Sequence, residues 1–183
     1  AGDRGLEAVV QKALRWEKSV LSVCFQDGLE SSRLKVAAVA AEWIVGTGIR
    51  FDFGAGLGPR TCSVSDPSDI RVNLTGGASW SYVGRHAMGV AADKPTLHLG
   101  GMNHGKSLSA NERFLVLHEF GHALGFEHEH QSPEGGCSAE FDWVALPGLL
   151  GYTEKEVRLN MTRFDESARK SGLVASDFDA RSV

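Results

Sequence analysis

The thirteen residues from His118 to His130, HEFGHALGFEHEH, hold four histidines and three glutamates. His118 and His122 are four positions apart. On a helix that spacing puts both on one side, about 5–6 Å apart at Cβ. Two imidazoles so placed can share one zinc ion at about 2.0–2.1 Å each. Glu119 projects about 100° round the axis from His118, so it can miss the metal and still reach a water held there. Two nitrogen ligands, with a carboxylate base beside an open position, make up what a hydrolytic zinc site needs.

A catalytic zinc usually takes a third protein ligand. His128 is six residues beyond His122, which in an unbroken helix means about 9 Å further along and roughly 240° round. The helix must therefore end between them. Gly125 is where it can, because glycine adopts the left-handed conformation that reverses a chain at a helix C-terminus. The pattern H-E-x-x-H-x-x-G-x-x-H thus gives each fixed residue a task. A buried helix with incidental histidines would explain neither Glu119 nor the glycine and third histidine that follow. The candidate zinc ligands are His118, His122 and His128, and the candidate general base is Glu119. His130 would point away from His128 if that segment is extended, which makes it a surface or supporting residue. Glu127 and Glu129 cannot both face the metal. Each is either a support for a ligand histidine or a solvated loop charge.

The elements that must position these residues follow from periodicity. Ser109 and Glu112 form a capping-box pair at the start of a helix, and Phe114, Leu117, Phe120, Ala123 and Leu124 mark its apolar face. Ser31–Gly46 reads as an earlier helix, with Leu34, Ala37, Ala38, Ala41 and Ile44 recurring at helical spacing. Ser19–Gln26, IRFDFG, DIRVNL and PTLHLG read as strands. One more helix falls within YTEKEVRLNMTRF, and the end of the chain is short and polar. Together these describe a single α+β domain with an N-terminal lobe of about residues 1–125 and a smaller, irregular C-terminal lobe of about 126–183.

The chain has 183 residues, 42% of them hydrophobic, and a net charge of -4. That is a globular composition, not a disordered one. No run of Lys and Arg could track a phosphate backbone, which argues against nucleic acid. The longest apolar stretch, Val36–Val45, is too short to span a membrane and carries Glu42. The N-terminal residues lack the order of a signal peptide. Cys24, Cys62 and Cys137 form no C-x-x-C pair, so a cysteine zinc site is not expected. One bridge with one free thiol and no bridge at all both remain open.

The five-position pattern resembles the signature of the metzincin zinc endopeptidases. Glu129 after the third histidine is similar to the astacin-like group. HEHQSP, WSYVG (Trp80–Gly84) and KPTLHLGG resemble a set of its secreted microbial members. The resemblance covers most of the chain, most fully from about Asp69 to Pro133. It implies a metzincin-like zincin fold: a twisted mixed sheet, an active-site helix, and an edge strand that pairs with extended substrate. PTLHLG is the candidate edge strand. It also implies secretion, and a role for Glu129 in pairing with the N-terminal ammonium of the mature chain.

Two features depart from the pattern. QSPEGGC stands where an Arg- and Asp-containing stretch is usual. The clan's methionine turn, Ser-x-Met-x-Tyr in astacins, is not matched by Met161 in RLNMTRF. Ser182-Val183 would match only its first two residues, so the turn is expected beyond the end of this sequence. The function expected is a zinc-dependent endopeptidase that hydrolyses peptide bonds in proteins through a zinc-bound water activated by Glu119. The alternatives are a catalytically silent zinc-binding or interaction protein, or a zinc hydrolase acting on a non-peptide bond.

Overall fold

The computed structural model describes residues 9–65 and 67–178. Its elements are β1 (Val9–Gln11), β2 (Val20–Phe25), α1 (Glu30–Ala40), β3 (Arg50–Asp52), β4 (Ile70–Asn73), β5 (Trp80–Ser81), β6 (Leu97–His98), α2 (Ala110–Leu124), β7 (Phe126–Glu127), α3 (Leu146–Leu150), α4 (Glu154–Met161), α5 (Glu166–Lys170) and β8 (Leu173–Ala175). They form two compact units, Leu14–Gly125 and Ala1–Ala13 with Phe126–Val183.

The Leu14–Gly125 unit is a mixed sheet of order β3-β2-β4-β6-β5 with two helices. β2 runs parallel to β3 and β4, and β4 parallel to β6, while β5 is antiparallel to β6. Parallel strands covered on both faces read as near-continuous apolar runs. The centre of the sheet does so: Leu21, Val23, Cys24, Phe25, Ile70 and Val72 are all buried. Val36 and Val39 of α1, and Val116 and Phe120 of α2, pack into the same core. The α+β class and the mixed sheet agree with the sequence.

Three expectations need correction. α1 buries Ser32, Val36, Val39 and Ala40, whereas Leu34 is 45% exposed and Ala38 lies outside. Every position of VAAVAA is apolar, so the composition establishes a helix without fixing its rotational phase. In α2, Phe114 is likewise exposed and Val116 takes the core position. Third, PTLHLG is not the edge. Leu97 pairs with Val72 on one side and Ser81 on the other. The backbone of Thr96 donates to Arg71 O at 2.9 Å and accepts from Tyr82 N at 2.9 Å. The edge on that side is β5, the WS of WSYVG, which at two residues is too short to show strand alternation.

A disulfide joins Cys24 to Cys62, 38 residues apart, and leaves Cys137 as a free thiol. Loop closure of that length stabilises a fold by about 2–4 kcal/mol.

In the other unit, β1 is the central strand of an antiparallel sheet of order β7-β1-β8. Val9 pairs with Glu127 and with Ala175. This pairing explains why the first strand groups with the C-terminal residues. α4 is the expected helix, started by a capping box between Thr153 and Glu156, with Met161 as its last residue. The region is more regular than the sequence indicates, since α3, α5 and β8 are each only three to five residues long. Ala1, Ser182 and Val183, which carry the N-terminal pairing and methionine-turn expectations, lie outside the described residues.

One close approach makes a direct test. A Cβ on Gly100 would collide with the backbone carbonyl oxygen of Gly77, whereas a Cβ on Gly89 would meet nothing within 4 Å. Backbone cannot yield as a side-chain tip can. Gly100→Ala should therefore lose about 1–3 kcal/mol of stability. Gly89→Ala should match or slightly exceed the parent. Denaturant unfolding of both variants checks the contrast.

Candidate metal centre

The helix that carries the first two histidines is fixed at both ends and along one flank. Ser109 caps it in an extended conformation, and its Oγ accepts from Glu112 N at 3.2 Å. In return, Glu112 Oε2 accepts from the Ser109 N–H at 2.7 Å and from its hydroxyl at 2.7 Å. His104 Nε2 lies 2.7 Å from the other Glu112 oxygen. The Glu112 carboxyl is held down to about 2, first by the Ser109 backbone bond and then by His104 and the Ser109 hydroxyl.

Two indoles bond to the backbone of α2 around the histidine turn. Trp43 Nε1 donates to Leu117 O at 2.6 Å, and Trp16 Nε1 donates to Ala123 O at 2.8 Å. A Cβ on Gly121 would sit 3.1 Å from the Trp43 ring, so the glycine of HEFGH leaves room for that indole. α2 stops at Gly125, whose φ of 115° is left-handed. Its N–H returns to Gly121 O and His122 O. Such a cap satisfies carbonyls that the helix end would otherwise leave unpaired.

The site residues fall as the spacing requires. His118 Nε2 and His122 Nε2 are 3.2 Å apart, with their rings nearly perpendicular at 88°. Two ligand nitrogens on one tetrahedral zinc would be separated by about 3.3 Å, given zinc–nitrogen distances of about 2.0–2.1 Å. Beyond Gly125 the chain is extended through β7 to His128, whose φ and ψ are -70° and 135°. The ligand atoms of His118, His122 and His128 lie within 4.8 Å of one another. Three histidines so gathered could bind a metal, and the all-imidazole donor set fits zinc, copper, iron or nickel better than calcium or magnesium.

Glu119 lies in sequence between the two helix histidines and is only 5% exposed. Burial pushes its carboxyl up to about 7, because a low-dielectric setting disfavours the charged form. A cation held by the neighbouring imidazoles would act in the opposite sense and favour the carboxylate.

Of the two readings of His130, surface or supporting, the structure favours the second, although the segment is not extended. Glu129–Gln131 is a 3-10 turn, not an extended segment. The turn brings the His130 ring back onto His128, 4.8 Å between centroids and 17° from parallel. Its Nε2 lies 2.8 Å from Asn160 O. Glu129 is buried at 7% exposure and is not a solvated loop charge, while Glu127 accepts from Gln11 Nε2 at 2.6 Å. Sequence reasoning missed Gln131, which is 4% exposed and places Oε1 3.2 Å from His128 Nδ1. The available signal was its position three residues after His128, where a 3-10 turn returns the chain.

No protein-family model matches the chain, and no curated protein matches it. Solved structures do. A structure of myroilysin superposes with a TM-score of 0.72 at 27% identity, covering 93% of this chain and 79% of that one. A crystal structure of myroilysin gives a TM-score of 0.61 at 23% identity over 91% of this chain and 80% of the other. At that lower identity the likeness shows the fold alone.

The cap of α2 makes a pH-dependent prediction. The Glu112 carboxyl sits at about 2, below its ordinary 4.5. Its contribution to stability is therefore complete above about 4.5 and lost as pH falls through about 2. Glu112→Ala should be less stable than the parent by about 1 kcal/mol at neutral pH. That deficit should shrink steadily in unfolding curves recorded from about pH 5 down to about pH 2.

Proposed function

We propose that the chain is a zinc-dependent endopeptidase. One observation carries the reading: three imidazole ligand atoms within 4.8 Å of one another, on a helix that also places Glu119 between two of the ligands. The structural likeness to myroilysin supports a protease over other uses of three histidines.

His118, His122 and His128 would hold the metal as neutral imidazoles. When bound, zinc would supply a Lewis acid for the scissile carbonyl and would acidify a water. Glu119 takes the proton from the attacking water and delivers it to the departing amine. A cation on the three imidazoles would favour the Glu119 carboxylate, the form that accepts the proton. The substrate class is a protein or peptide. The Cys24–Cys62 bridge supports an oxidising, extracellular setting. None of the helices among the described residues is long and apolar enough to cross a membrane.

The mechanism divides metal binding from proton transfer, and two substitutions separate them. Glu119→Ala should retain one zinc per chain and lose roughly 100-fold or more in kcat on a protein such as casein. His122→Ala should lose the zinc and the cleavage together. Metal analysis beside the cleavage assay checks both, and parental turnover by Glu119→Ala would exclude this role for the carboxylate.

A further inference from the structure

We propose that Gln131 is the positioning residue for the third metal ligand: it selects the His128 tautomer that leaves Nε2 free for the metal. The proposal rests on the zinc reading above and goes beyond it, because it assigns a specific hydrogen atom to a specific nitrogen.

The Gln131 side chain is 4% exposed, so its amide must find its partners within the protein. Its Nε2 donates to Leu159 O at 3.1 Å and to Thr162 O at 3.0 Å. Backbone carbonyls only accept, so the NH2 group must face them, and both of its hydrogens are used. That fixes the amide orientation, which would otherwise be ambiguous. Oε1 is then the atom that faces His128 Nδ1, at 3.2 Å. A carbonyl oxygen cannot donate, so Nδ1 must carry the hydrogen. A neutral imidazole with hydrogen on Nδ1 has its lone pair on Nε2. The ligand nitrogen of His128 is therefore Nε2.

The surroundings hold Gln131 rather than merely contain it. Its backbone N–H donates to His128 O at 3.0 Å, and its carbonyl accepts from Phe164 N at 2.9 Å. The amide thus ties the ligand histidine to the C-terminal end of α4 and the residues just beyond it. His130 works beside it: its ring stacks on His128, and its Nε2 lies 2.8 Å from Asn160 O in the same stretch. One side chain fixes the proton and the other the ring plane. Metal-ligating histidines commonly donate their second nitrogen to an oxygen in this way, and loss of such a partner costs about 10–100-fold in metal affinity.

The test has one measurement that needs no variant. Nitrogen NMR shifts of metal-free parent protein at about pH 8, where an ordinary imidazole is neutral, should show His128 with hydrogen on Nδ1. The second measurement is zinc affinity, by competition with a chromophoric chelator. Gln131→Met keeps the length of the side chain and removes its hydrogen bonds; it should bind zinc about 10–100-fold more weakly than the parent, with KM for a peptide substrate unchanged once saturated with metal. Hydrogen on Nε2 of His128 in the parent, or parental zinc affinity in Gln131→Met, would overturn the assignment of Gln131 alone. A parent chain that takes up no zinc in the same titration would overturn the metal reading beneath it.

Discussion

The reversal of the chain at Gly125 is the constraint on which the candidate metal centre depends. Two of the candidate ligands come from a helix, where spacing is fixed at four residues and the side chains share a face. The third cannot come from the same helix at any spacing between the first and second. The chain must leave the helix within one turn and carry an imidazole back, and a left-handed residue at the helix end is the shortest way to do it. Gly125, at a φ of 115°, occupies that conformation. It does so without the 1–2 kcal/mol that a Cβ would add there.

A reversal positions a ligand only if the helix before it does not fray. α2 is held against fraying by interactions of three kinds. The Ser109–Glu112 box and the His104 contact close its start. The indoles of Trp43 and Trp16 bond to carbonyls of Leu117 and Ala123, on either side of the turn that bears His118 and His122. Phe120, fully buried and set edge-on to Phe51 at 5.3 Å, anchors the opposite face in the core. Helix ends ordinarily open first, and here the box holds the start of α2 while the Trp16 bond and the Gly125 cap hold the end that bears His122. The rigidity serves the electrostatics too. A buried carboxyl such as Glu119 remains where it is useful only if the backbone beneath it does not move.

Much of this centre was legible in the sequence, because its geometry is local. Helical periodicity relates His118, Glu119 and His122 directly, and Gly125 and His128 follow from counting residues. What the sequence does not display is pairing at a distance. PTLHLG reads correctly as a strand, yet its place inside the sheet depends on Trp80 and Ser81, which show no strand pattern of their own. β1 joins Phe126 and Glu127 on one side and Leu173–Ala175 on the other, residues far away in the chain. The buried face of α1 was obscured by the opposite problem, since its apolar residues are too many to select one face. The inward turn of His130 and the role of Gln131 depend on a 3-10 turn of three residues, shorter than any period a sequence can reveal.

The central claim is that one metal ion is held by three imidazoles on the two sides of Gly125. X-ray absorption at the zinc edge of the metal-loaded chain tests it most directly. The account predicts three imidazole nitrogens at about 2.0–2.1 Å with one further light atom, and no sulfur. A sulfur scatterer at about 2.3 Å, which would bring in Cys137, or fewer than three imidazoles around the metal, would contradict it.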